Sequence, residues 1–90
     1  MNEEMFEAIR LIAAYVYAGE INVMPADVYS GNDEGNAYRH LFEEVGDDEG
    51  AYWKLLEGIA NKVNGILKGL NVGTEINKDW LNAVFEFEEE

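Results

Sequence analysis

The sequence predicts an all-α fold, a small four-helix bundle, and two observations carry that expectation. Apolar residues recur at alternating steps of three and four in several separate segments, the period of one helix face. Between those segments stand Gly, Pro, Asn and Asp, the residues that stop and start helices. The chain has 90 residues, 48% hydrophobic, and no cysteine, so an apolar core must stabilise a single domain without disulfides or thiolate-bound zinc.

The first helix is expected over about residues 3–18. Asn2 is placed to cap it, Glu3 and Glu4 suit the positive end of its dipole, and Met5, Ile9, Ile12 and Val16 form its stripe. Gly19 is the expected stop. Next, Met24 precedes Pro25 and is biased to be extended, while Pro25 to Tyr29 suits one helical turn. Asn32 or Asp33 is placed to cap a second main helix, over about residues 34–45. Its stripe is Tyr38, Leu41, Phe42 and Val45, and Gly46 ends it.

The clearest helix is expected over about residues 49–70. Tyr52, Leu56, Ile59, Val63, Ile66 and Leu70 form its stripe, widened by Leu55 and Leu67, with Lys54, Glu57, Asn61, Lys62, Asn64 and Lys68 opposite. Gly58 and Gly65 share a face, which predicts close approach of a neighbouring helix, with Gly69 as a C-terminal cap. The last helix is expected to start at Asn77. Ile76 and Leu81 are spaced as a hydrophobic staple, and Trp80, Val84 and Phe85 supply core. A minor strand pairing of residues 21–24 with residues 84–88 is the alternative α+β reading, and residues 86–90 are expected to form a frayed acidic tail.

Charge is the informative functional signal. Nineteen acids against six Lys and Arg give a formal net charge of −13. That exceeds the magnitude of about 2–8 that keeps a small domain soluble. Such an excess disfavours nucleic acid and anionic membranes as direct partners and favours a basic protein. The acids are also segregated. Glu20 to Glu49 holds nine acids and one Arg, whereas Gly50 to Lys78 holds two acids and four Lys. The densest stretch, EEVGDDEG over residues 43–50, packs five carboxylates into eight residues. Helix capping accounts for Asp47 or Asp48, and the next helix's dipole for Glu49. It does not account for Glu43 and Glu44, which sit at a helix C-terminus where the dipole disfavours anions.

Catalytic and metal-binding patterns are thin. An EF-hand with Gly35 at its sixth position has Leu41 where the bidentate Glu belongs; with Gly50 there, that position is Leu56. One Ser, one Thr and one His give no strand-turn-helix setting for a nucleophile. The expectation is therefore no enzyme, no cofactor and no metal. The longest apolar run, 14 residues from Met5, carries Glu7 and Arg10 and is too short to span a bilayer. The acidic opening MNEE is the wrong sign for a secretory or mitochondrial leader, so the reading is a cytoplasmic chain, in the host's cytoplasm if a phage encodes it.

These features lead to a non-enzymatic inhibitor that imitates nucleic-acid phosphate charge and blocks the basic groove of another protein, in the manner of anti-restriction or anti-CRISPR proteins. The partner would be a nucleic-acid-binding protein or a nuclease. The acidic face is assigned to Asp33, Glu34, Glu43, Glu44, Asp47, Asp48 and Glu49. A second patch is assigned to Glu86, Glu88, Glu89 and Glu90, and Tyr29, Tyr38 and Trp53 are candidate interface aromatics. The alternatives are an acidic adaptor or immunity-type protein for one basic partner, and a structural homo-oligomer such as a homodimer.

Overall fold

In the computed structural model, residues 2–29 and 36–85 are described, residues 36–39 by their backbone alone. Five helices follow one another: α1 (Glu3–Ile21), α2 (Pro25–Tyr29), α3 (Asn36–Val45), α4 (Glu49–Gly69) and α5 (Lys78–Val84). The all-α expectation holds, with the single turn α2 added to four longer helices. The α+β alternative does not hold among the described residues. Ile21 still belongs to α1, Asn22 to Met24 form no strand, and Val84 lies in α5.

Asn2 and Asp48 cap their helices as the sequence implies, Asn77 caps α5 rather than being its first residue, and the cap expected at Asn32 or Asp33 lies outside the described residues. The side-chain oxygens of Asn2, Asp48 and Asn77 accept from the N–H groups of Met5, Ala51 and Trp80, at 2.7, 3.0 and 2.8 Å. The two long helices end differently from expectation. Gly19 and Gly69 remain helical, and each helix closes a little further on at an Asn in the left-handed region: Asn22 (φ 58°) and Asn71 (φ 60°). Val23 N–H then donates to the Ala18 carbonyl (3.0 Å) and Val72 N–H to the Leu67 carbonyl (2.9 Å), the six-residue closure of a Schellman turn. Each Val packs against the core, which supplies the apolar contact such a turn favours.

α1 packs against α2, α3 and α4, and α4 also carries α3 and α5. The core face of α1 is not its bulky stripe. Ile9, Ala13, Ala14, Tyr17, Ala18 and Ile21 are buried, whereas Ile12 and Val16 are only partly covered and Met5 is exposed. Alanines let the neighbouring helices come close, and Tyr17 fills the remaining depth, edge-on to buried Phe85 with ring centroids 5.8 Å apart. On α4 the buried set is Leu56, Ile59, Ala60, Val63 and Leu67, so Ile66 and Leu70 turn outward. Fully burying a side chain such as Leu56 is worth roughly 1.5–3 kcal/mol.

The connection from α4 to α5 is pinned by Asn64, which the sequence placed on the solvent side. Its Nδ2 donates to the Ile76 carbonyl and its Oδ1 accepts from the Ile76 N–H, both at 2.8 Å. Ile76 is thereby buried together with Leu81. Tyr52 adds a second tie, its hydroxyl donating to Asn82 Oδ1 at 2.8 Å. Among the described residues, the expected close approach at Gly58 and Gly65 is absent. Both are exposed, and a Cβ added at either would meet nothing within 4 Å.

Candidate functional site

The dense acidic stretch bridges α3 and α4. Gly46 (φ 60°) breaks α3, its N–H donating to the Phe42 carbonyl at 2.6 Å. Asp48 then caps α4, so only Gly46, Asp47 and Asp48 join the two helices. This tight corner brings Glu43 and Glu44 of the last α3 turn near Asp47, Asp48 and Glu49 at the start of α4. All five are exposed. Asp48 is the one with a local structural duty, as the cap. Glu43 lies 3.6 Å from His40 Nδ1, an ion pair only when that imidazole is protonated.

The Lys and Arg pairings described lie elsewhere. Arg10 pairs with Glu7, Lys62 with Glu20 and Lys78 with Glu57. Among the described residues, Glu44, Asp47 and Glu49 pair with no basic side chain. The corner also has an apolar floor. Leu41, Phe42, Val45 and Tyr52 join Gly46, Asp47, Asp48 and Glu49 around a notch of about 210 Å³. Phe42 is 44% exposed, which corrects its assignment to the core stripe. Leu41 and Phe42 are neighbours on a short helix, about 100° apart around its axis, and the core takes Leu41. The adjacency implies that one of the two turns outward, and only the folded core settles that it is Phe42.

The other assigned residues divide. Asp33, Glu34, Glu86, Glu88, Glu89, Glu90 and the side chain of Tyr38 lie outside the described residues. Tyr29 is engaged within the fold. Its hydroxyl donates to Glu7, its carbonyl accepts from Arg10 Nη2 at 2.6 Å, and the Arg10 guanidinium lies 4.2 Å from its ring centroid. The hydrogen bond to Glu7 raises its phenol pKa above the ordinary value. Trp53 is partly buried, edge-on to Tyr52 at 5.5 Å.

The acidic corner lies far from the start of α1. Glu20 meets Lys62 while Met5 meets Thr74 beyond the end of α4, so α1 and α4 run antiparallel. Glu3 and Glu4 therefore sit near the opposite end of α4, whose 21 residues span about 30 Å. Among the described residues, no group of three or more His, Asp or Glu is placed to hold a metal ion, and no helix is long and apolar enough to cross a membrane. No protein-family model, no curated protein and no solved structure matches this chain.

Proposed function

We propose that this chain is a non-enzymatic acidic inhibitor that occupies the basic nucleic-acid-binding groove of another protein, acting as anti-restriction or anti-CRISPR proteins do. The supporting observation is the α3–α4 corner, where exposed carboxylates stand together while Arg10, Lys62 and Lys78 pair with Glu7, Glu20 and Glu57. Scale agrees. The long axis is 36 Å, over which duplex DNA carries roughly 20 charges, the same order as this chain's excess of 13. A carboxylate offers Arg the same two-pronged acceptor geometry as a phosphate, and a strong negative field speeds encounter with a cationic groove. Glu43, Glu44, Asp47 and Glu49 would meet the partner's Arg and Lys, leaving Asp48 to hold the helix start.

The test is retention of basic nucleic-acid-binding proteins on the immobilised chain, followed by elution with heparin or short duplex DNA. Wild type should retain such proteins and release them to either competitor. Changing Glu43, Glu44, Asp47 and Glu49 together to Lys should abolish retention, while Glu3→Lys with Glu4→Lys should weaken it little. Equal loss in both variants, or bound protein that neither competitor displaces, would overturn the reading. The second outcome would favour an acidic adaptor seated on a different surface.

A further inference from the structure

We infer that the notch between α3 and α4 receives one large apolar side chain from a basic segment of the partner, an inference that rests on the acidic corner being the partner-binding face. A phosphate imitator needs only charge, yet this corner also has an apolar floor. Leu41 is 5% exposed at its base, Val45 and Tyr52 are half-buried, and Phe42 forms an exposed wall. Its volume of about 210 Å³, open to solvent above the apolar floor, leaves room for an aromatic side chain.

Charge complementarity selects the occupant. Asp47 and Glu49 stand on the rim without basic partners among the described residues, and Asp48 adds its charge at the α4 cap. Glu44, exposed in the last turn of α3, contributes further negative charge. An apolar residue flanked by Lys or Arg satisfies floor and rim together, whereas an acidic segment is repelled. A second copy of this chain, with its own net charge of −13, is repelled likewise. The apolar anchor would set register and slow dissociation, while the surrounding charges set the rate of encounter.

Three short peptides test this against isotopically labelled wild-type protein, by amide-shift titration. The first combines Lys and Ala around one central Phe. The second replaces that Phe by Ala, and the third replaces every Lys of the first by Glu. The Lys/Phe peptide should bind about tenfold more tightly than the Lys/Ala peptide, shifting the amides of residues 41–52, and the Glu/Phe peptide should not bind. Phe42→Ser should narrow the difference between the two Lys peptides, and Asp47→Asn with Glu49→Gln should weaken both. Equal affinity of the two Lys peptides at this corner would overturn the notch while leaving the acidic-face reading standing. Failure of both Lys peptides to bind there would overturn the notch and the acidic-face reading together. Equal binding of the Glu/Phe peptide would show an apolar site indifferent to charge and overturn the proposed occupant.

Discussion

Tyr15 and Tyr17 show how far two like residues can diverge within one helix turn. Two positions on a helix are about 200° apart, so Tyr15 is 62% exposed while Tyr17 is fully buried. Burial first, and then the neighbouring Tyr52, push the Tyr17 phenol well above its ordinary pKa near 10. The sign follows from linkage. Below about pH 10 the phenol is neutral in both states and its burial is fully favourable, and above that the unfolded chain loses the proton first. Stability should therefore fall as pH rises past about 10, with Tyr29 contributing in the same direction. Tyr17→Phe should flatten this alkaline loss in melts recorded at increasing pH, and an unchanged slope would show that Tyr17 does not govern it. The sequence could not separate the two tyrosines. The bulky stripe of Met5, Ile9, Ile12 and Val16 pointed elsewhere, and the alanines that define the real core face carry too little hydrophobic signal to be read without their neighbours.

At the level of the helix, the starts of α1, α4 and α5 were legible and the ends of the long helices were not. Asn2, Asp48 and Asn77 each offer a side-chain oxygen to N–H groups lacking helical partners, which any sequence of this kind announces. Gly46 also ends α3 as expected. For α1 and α4 the expectation rested on Gly19 and Gly69, whereas the left-handed positions are Asn22 and Asn71, each followed by a core-packed Val. The burial of Ile21, one residue before the turn, draws α1 past its glycine. The helical glycines at 58 and 65 pack against nothing among the described residues. Replacing both by Ala should raise stability by about 1 kcal/mol per site, since only helix propensity changes. For a domain of this size, thermal denaturation should show a rise of about 4–8 °C per substitution. A lowered midpoint would mean that α4 needs a freedom at these positions that alanine removes.

The whole molecule measures 36 × 24 × 19 Å and carries its excess charge at short mutual range. At an ionic strength of 0.01 M the screening length is about 30 Å, so charges across the entire body repel one another; at 0.15 M it shrinks to about 8 Å. Thermal stability should therefore increase with NaCl over that range, by roughly 1 kcal/mol, and a midpoint indifferent to salt would show that repulsion is already balanced locally. The acidic corner could be anticipated as a run of carboxylates, because charge density survives any folding of so short a stretch. Its notch could not, because the outward turn of Phe42 depends on which of two adjacent side chains the core accepts. One smaller detail has a temporal consequence. Asn64, whose amide grips Ile76 at both ends, is followed by Gly65, the neighbour that least obstructs ring closure of an asparagine onto the backbone nitrogen. While α4 is intact that nitrogen is held within the helix; each opening frees it to attack the Asn64 side-chain carbonyl with loss of ammonia, and hydrolysis of the resulting ring to aspartate or isoaspartate would set a carboxylate against the Ile76 carbonyl. Chemical ageing at Asn64 should therefore follow how often α4 opens.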